Sequence, residues 1–268
     1  MKKERLDVLL VNKGFFESRE RAKSAIMAGV VFINNSREDK PGNRFDEESE
    51  ILVKQNPIPF ASRGGLKLEK ALASFEIDLV GKTTIDVGAS TGGFTDCMLK
   101  RGASKVFAVD VGYGQLAWAL RTDSRVVCME RTNIRYVTPD QIGVLADFAT
   151  MDVSFISLKK VIPVVVNLTN DTAKFVCLIK PQFEAGREKV GKHGVVRDPA
   201  VHAEVICGII NFVRDLGLNV IGLDFSPVKG PEGNIEYLLH FSKLAGSIGT
   251  ALTNEDIIAL VNKSHTEL

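Results

Sequence analysis

Cysteine is scarce in this chain of 268 residues, and its spacing excludes two classes of protein. Cys97, Cys128, Cys177 and Cys207 stand far apart inside apolar runs, with no CxxC pair and no histidine at metal-ligand spacing. A disulfide-stapled scaffold and a zinc site both need closer thiols, so buried reduced cysteines, a reducing cytoplasm and no metal are expected. Long apolar runs are missing as well. None approaches the ~18–20 residues that span a bilayer, and Met1-Lys-Lys-Glu-Arg-Leu-Asp7 shows alternating charge instead of a signal core. Neither membrane insertion nor secretion has support. A dominant charge is absent too: 34 Lys and Arg against 33 Asp and Glu leave +1, which advertises no nucleic-acid partner for the whole molecule. Tryptophan occurs once, and Trp118 is expected to pack in the core together with Phe75.

What is present is the composition of a globular protein, 45% apolar and 25% charged. The length suits one large domain, or a small one and an ordinary one, and a monomer is favoured. Charge is unevenly spread. Residues 1–34 hold seven bases (Lys2, Lys3, Arg5, Lys13, Arg19, Arg21, Lys23) against four acids (Glu4, Asp7, Glu17, Glu20), so +3 there leaves −2 elsewhere. Leu6, Leu9 and Leu10 at helical spacing predict a first helix over 4–14, closed by Gly14. Ser18 can cap a second helix that turns Ala22, Ala25 and Ile26 inward and ends at Gly29, with Arg19 and Lys23 on one side. Val30–Ile33, a turn at Asn34-Asn35 and Glu50–Val53 read as a short β-ribbon. Domains are therefore expected at 1–54 and 62–268, joined by a linker over 55–61 containing Pro57 and Pro59.

Beyond residue 61 strands alternate with helices. Strands are expected at Thr84–Val87, Lys105–Asp110, Val126–Met129, Phe148–Asp152, Lys174–Ile179, Leu218–Leu223 and Ile235–His240. The clearest helix start is Asp198-Pro199, a cap followed by the proline favoured at the first helical position. Such alternation implies a doubly wound α/β sheet with ligands at the carboxyl ends of its strands.

Asp86-Val-Gly-Ala-Ser-Thr-Gly-Gly-Phe94 follows the first of these strands. As a dinucleotide fingerprint it lacks the second glycine, since Ser90 stands there. As a P-loop it has the glycine spacing from Gly88 to Gly93, but Phe94 replaces the lysine. The glycines could also serve only tight strand–helix packing. The reading that fits is a loop for S-adenosyl-L-methionine, which has no phosphate to cradle and whose ammonium wants a carboxylate such as Asp86. Asp110, ending the next strand, could bind a ribose diol of either kind of cofactor. As for the acceptor, Asp152-Val-Ser-Phe155 lacks both prolines of the exocyclic-amine motif, and no Pro-Cys occurs. A ribose hydroxyl needs a base, and lysines interleaved with carboxylates at strand ends could provide one.

These stretches resemble the hemolysin-A-like (TlyA) family of ribosomal RNA 2′-O-methyltransferases, whose catalytic domain is similar to FtsJ-type methyltransferases. The resemblance covers nearly the whole chain. In the first domain Arg5-Leu-Asp-Val-Leu-Leu10, Ser18-Arg-Glu-Arg-Ala22 and Ala28-Gly-Val-Val-Phe-Ile-Asn34 resemble an S4 RNA-binding domain. Ser62-Arg-Gly-Gly-Leu-Lys67, Asp86–Phe94, Met151–Phe155, Lys180-Pro-Gln-Phe-Glu184 and Gly230-Pro-Glu-Gly-Asn-Ile-Glu236 carry it through the second. Where some members have an Arg-x-Trp-Val linker, Pro59-Phe-Ala-Ser62 stands here. The resemblance implies a Rossmann-like class I methyltransferase with a seven-stranded, mostly parallel sheet behind a small α+β S4-like domain. It implies a catalytic Lys67, Asp152, Lys180 and Glu236, with Lys180 deprotonating the 2′-hydroxyl, Lys67 and Glu236 holding the ribose, and Asp152 orienting Lys180. Cofactor contacts are expected from Asp86, Gly88, Ala89, Ser90, Gly92, Gly93, Phe94, Asp110, Val111, Asn133 and Asp152. RNA contacts are expected from Arg5, Arg19, Arg21 and Lys23, and in the catalytic domain from Arg63, Arg131 and Arg135. The implied substrate is cytidine in the 16S and/or 23S RNA of ribosomal subunits. A membrane-lytic protein, after the hemolysin label, and a non-catalytic RNA-binding protein are the alternatives. The Gly-rich, charged loop 184–198, with His193, is expected to be a lid ordered by substrate.

Overall fold

The computed structural model describes residues 3–16, 18–27, 29–53, 58–244 and 252–268. The chain divides into two compact units, residues 1–62 and 63–268. Of the expected linker, residues 55–57 lie outside the described ones, as does Ala28 of the quoted motifs.

In the first unit the chain runs β1 (Lys3–Arg5), α1 (Leu6–Asn12), α2 (Arg19–Met27), β2 (Val31–Ile33), β3 (Ser36–Glu38), β4 (Arg44–Asp46) and β5 (Ile51–Val53). Leu6, Leu10, Ala22, Ile26, Val31 and Ile33 form its core. The Ser18 hydroxyl accepts from Arg21 N–H and so caps α2, while Gly14 follows α1 at φ +77°. The first helix is shorter than expected. Residues 3–5 are strand, because their backbone pairs with β4 in the register Lys3↔Asp46. The Asn34-Asn35 turn, with both residues at positive φ, leads from β2 into β3, and β5 pairs on the other side of β2.

The second unit runs α3 (Gly64–Ser74), β6 (Thr83–Val87), α4 (Gly93–Lys100), β7 (Lys105–Val109), α5 (Trp118–Arg121), β8 (Val126–Met129), α6 (Pro139–Ile142), β9 (Ala146–Met151), α7 (Ile162–Asn167), β10 (Thr169–Ile179), α8 (Pro181–Glu184), α9 (Pro199–Asp215), β11 (Asn219–Phe225), β12 (Tyr237–Ser242) and α10 (Asn254–Glu267). Seven strands form one sheet in the order β11-β12-β10-β9-β6-β7-β8. Pairing is parallel from β8 through β10, and only β12 runs against its neighbours. The alternating pattern implied such a doubly wound sheet, and its seven mostly parallel strands are those that the resemblance implied. Residues 148–151 of β9 and 175–179 of β10 are buried on both faces, as a sheet covered on both sides requires. The Asp198 carboxylate caps α9 by accepting from Ala200 N–H at 2.8 Å.

Two side-chain expectations fail. Trp118 is 75% exposed, because α5 is a single turn whose inward positions are taken by Leu120 and, just before it, Leu116. Cys97 and Cys177 are buried, whereas Cys128 and Cys207 are partly exposed. Phe75, half-buried, stacks on buried His240 with ring centroids 5.4 Å apart.

Candidate active site

Strand register assembles the site. Val87 pairs with Met151, and Met151 with Cys177, so Gly88, Asp152 and Lys180 all leave the same edge of the sheet. Because β12 is antiparallel, its first residue Tyr237 pairs with Ile179, which puts Glu236 at that edge as well. Lys67 arrives from α3, held against β11 by Lys70 Nζ donating to Asp224 Oδ1 at 2.9 Å and to the Phe225 carbonyl at 2.7 Å. Gly222 is a glycine because a Cβ there would meet the Phe75 ring of the segment after α3 at 2.6 Å.

The four residues implied as catalytic lie in one buried cluster. Lys180 Nζ is 2.6 Å from Asp152 Oδ1 and donates to Ser154 Oγ at 3.2 Å. Lys67 Nζ is 2.5 Å from Glu236 Oε2 and 3.8 Å from Asp152 Oδ2. Two cations thus face two anions, at 8% exposure for Lys67, 7% for Lys180 and none for Glu236. Burial works against the Lys67 ammonium, but Asp152 and Glu236 outweigh it and raise its pKa above that of an ordinary lysine, with Arg63 opposing them. Glu236 Oε1 is buried with no hydrogen-bond partner among the described residues. A Cβ on Gly230 would collide with this carboxylate, which explains the glycine of the Gly230–Glu236 motif.

The glycine loop lies beside the cluster. Gly88 and Gly92 have φ +86° and +95°, and a Cβ on Gly88 would stand 2.5 Å from the Asp152 carbonyl oxygen. Ser90 also has positive φ, and Ala89, Gly93 and Phe94 are buried where the loop enters α4. Asp110 fixes the loop mouth, with Oδ2 accepting from Ser90 N–H at 2.8 Å and Oδ1 from Gly112 N–H at 2.7 Å. Next to it Val111 is exposed, and Asn133 caps the turn Ile134–Tyr136 by accepting from Arg135 N–H. Asp86 differs from the rest. It is fully buried, accepting from the Thr95 hydroxyl at 2.7 Å and the Thr150 hydroxyl at 3.2 Å. Burial, aided by the charge of Asp152, pushes its carboxyl up to about 7 despite the two hydroxyls.

The donor set suits S-adenosylmethionine: an acid at the loop mouth, a buried carboxyl beneath it, and no lysine to meet a phosphate. Among the described residues no cluster of metal-binding side chains occurs.

Aromatic residues at the site escaped the reading of the sequence. Phe155, at φ +63°, is 92% exposed and lies against Phe183 with ring centroids 5.0 Å apart. Lys180 Nζ stands 6.0 Å from the Phe183 ring. Arg131 and Arg135 cover the exposed Tyr113 and Tyr136 at 4.1 and 5.4 Å. Only the exposure of these rings distinguishes them, and no spacing rule reports it. Loop 184–198 contains the turns Arg187–Lys189 and Lys192–Gly194, and its far end is anchored by buried Val196, whose N–H donates to Asn234.

In the first unit Arg5 and Arg19 converge on buried Asp7. Arg5 Nε lies 3.0 Å from Oδ1, and Arg19 Nη2 lies 2.8 Å from Oδ2. Burial would raise the Asp7 pKa, but the hydrogen bonds and charges of both guanidiniums hold it down at about 2. Half of each arginine side chain remains exposed, Arg21 is exposed, and Lys23 is partly so.

Residues 60–243 match the FtsJ-like methyltransferase family, and residues 4–51 match the S4 domain. A chain from Bacillus subtilis (strain 168), provisionally named rRNA methyltransferase YqxC, is 54% identical over 269 residues, covering 100% of this chain and 96% of its own. The 16S/23S rRNA (cytidine-2′-O)-methyltransferase TlyA of Mycobacterium tuberculosis is 44% identical over 239 residues, 89% of each chain. A solved structure from Streptococcus thermophilus, provisionally called a hemolysin, superposes with a TM-score of 0.79 at 47% identity, covering 100% of this chain and 97% of that one.

Proposed function

Because the chain belongs to the FtsJ-like methyltransferase family and carries an S4 domain ahead of the catalytic unit, we propose that it methylates a ribose 2′-hydroxyl of ribosomal RNA from S-adenosylmethionine, on cytidine of the small or large subunit or both. The buried cluster of Lys67, Asp152, Lys180 and Glu236 beside the glycine loop carries this reading. The cytidine and the subunits come from what the mycobacterial relative is named to modify.

When bound, the cofactor would supply an electrophilic methyl group for transfer to the 2′-oxygen. In its neutral form Lys180 takes the hydroxyl proton at Nζ and becomes the ammonium that pairs with Asp152, 2.6 Å away, which also aims it. Lys67 remains an ammonium and, with the open Oε1 of Glu236 as acceptor, holds the ribose hydroxyls in line. Asp86 and Asp110 would hold the methionine and ribose ends of the cofactor. The exposed ring of Phe155, tilted 49° to Phe183, offers an aromatic face of the kind on which an unstacked nucleobase packs. Arg5, Arg19, Arg21 and Lys23 would meet phosphates, which position RNA without reading its sequence.

The test is labelled-methyl transfer from S-adenosylmethionine to purified ribosomal subunits, followed by mapping of ribose 2′-O-methylation. Wild-type protein should label cytidine ribose, and label confined to a base, or none on either subunit, would overturn the proposal. No helix among the described residues is long and apolar enough to cross a membrane. Leakage of dye from lipid vesicles is the parallel measurement for the hemolysin name.

A further inference from the structure

The loops after β9 and β10 carry the reacting parts in pairs: Asp152 faces Lys180, and Phe155 faces Phe183. Beyond Met151 and Ile179 the strand pairing ends, apart from Asp152 N–H donating to the Val87 carbonyl at 2.9 Å, so residues 154–157 and Phe183 depend on other contacts for their register. One side chain bridges the two loops at a point past both pairs. Glu184, the last residue of α8, turns its carboxylate toward the turn Leu158–Lys160. Its Oε2 accepts from the Ser157 hydroxyl at 2.6 Å, and its Oε1 accepts from Leu158 N–H at 2.7 Å. The same Ser157 oxygen accepts from Lys159 N–H, so the carboxylate and the serine cap that turn together. Between Asp152 and Ser157 the chain passes through Phe155 at φ +63°, a conformation that a bulky side chain keeps only where its surroundings enforce it.

We propose that Glu184 is a positioning residue for methyl transfer, whose carboxylate locks the loop after β9 to the loop after β10 and thereby sets Lys180 against Asp152 and Phe155 against Phe183. It touches neither substrate nor cofactor, and acts through the residues it aligns. The assignment rests on the 2′-O-methyl transfer described above. Its mechanical part follows from the geometry alone.

Two bonds with different chemistry make it testable. Glu184→Ala removes both. Glu184→Gln keeps an acceptor for Leu158 N–H and turns an amide donor toward the Ser157 oxygen, so it is the conservative rescue. Ser157→Ala removes one bond from the opposite loop without touching Glu184. On ribosomal subunits with saturating S-adenosylmethionine, single-turnover methylation by Glu184→Ala should fall about 10- to 100-fold, the scale of a misplaced reacting group. The affinity for S-adenosylmethionine, measured by calorimetry, should stay within about twofold, since Asp86 and Asp110, proposed to hold its two ends, belong to β6 and the end of β7 and not to the clamped loops. Glu184→Gln should recover most of the rate. Ser157→Ala should fall between, and Glu184→Ala combined with Ser157→Ala should be no slower than Glu184→Ala alone. A Glu184→Ala rate within about twofold of wild type overturns the assignment. So does a loss that appears equally in cofactor affinity, or one that Glu184→Gln does not relieve. If wild-type protein methylates a base in place of a ribose, the proposed reaction fails while the same variant rates still read the clamp; the clamp fails when wild type is active and the variants match it.

Discussion

Replacing Asp86 by Asn should flatten the pH dependence of stability. Asp86 is fully buried, sits between two threonine hydroxyls, and is raised from 3.8 to about 7. In the unfolded chain it ionises near its ordinary value, so between about pH 4 and 7 the folded state holds a proton that the unfolded state has lost. The stability of the neutral buried form is complete below the lower value and is lost as pH rises through the upper one. A shift of about three units corresponds to about 4 kcal/mol at pH 8 as an upper bound, or roughly 10 °C in melting temperature for a domain this size. Asn keeps the shape and one acceptor, and it cannot ionise. Melting curves from pH 5 to 9 should therefore show wild type falling relative to Asp86→Asn as pH increases. Buried His202 and His240, both shifted down, stabilise in the opposite direction and are common to both proteins, so the difference curve isolates Asp86. The cofactor adds a second readout. An ammonium placed beside Asp86 favours the carboxylate, so binding near neutrality should release a proton, detectable by calorimetry in buffers of different ionisation enthalpy, and Asp86→Asn should abolish it. Parallel melting profiles for the two proteins would refute this account of Asp86.

Lys180→Ala should cut single-turnover methylation by about 100-fold or more with cofactor affinity intact, and Lys180→Arg should fail too, because guanidinium does not give up its proton at usable pH; near-native turnover by Lys180→Arg would make the residue an electrostatic clamp. Phe155→Ala should weaken productive RNA binding in a kcat/KM assay while calorimetric cofactor affinity and melting temperature hold, because the removed ring is almost wholly exposed; an unchanged kcat/KM would leave the ring pair without a substrate role. Neutralising Arg19 and Lys23 together should flatten the salt dependence of RNA binding, with each lost phosphate contact removing about one released counterion; an unchanged slope would exclude them as phosphate ligands.

Elements with a local signature were legible. Thr83–Val87, Lys105–Val109 and Val126–Met129 are short stretches rich in β-branched residues, and they agree with the expected strands to within a residue at either end. The glycines at 88 and 92 announced a turn because few other residues tolerate positive φ, and the structure adds what each avoids striking. The pairing of β1 with β4 was invisible, since Lys3-Glu-Arg5 has no apolar member and draws its stability from a partner forty positions away. The buried cluster proposed as catalytic lies at the same limit. Lys67 and Glu236 meet across 169 positions, and only resemblance joined them before the register of β10 with β12 supplied the reason.

Burial is the property that single-residue types conveyed least. Asp7 counted as one more acid on a charged helix, yet it is buried and draws two arginines to a point. Trp118 and Phe155 counted as core, or as part of a motif, and both stand in solvent. The errors run in opposite directions for one reason. Hydrophobicity fixes where a side chain goes only when its neighbours leave it a choice, and at strand ends the backbone decides first. Leu116 and Leu120 fill the space below α5, so Trp118 is turned outward. Phe155 at positive φ is aimed away from the sheet, and the two hydrogen bonds of Glu184 hold the loop that keeps it there. An exposed aromatic that its own backbone conformation disfavours, beside a buried lysine, is held in place by the rest of the site, and this is the ground for assigning it to the substrate.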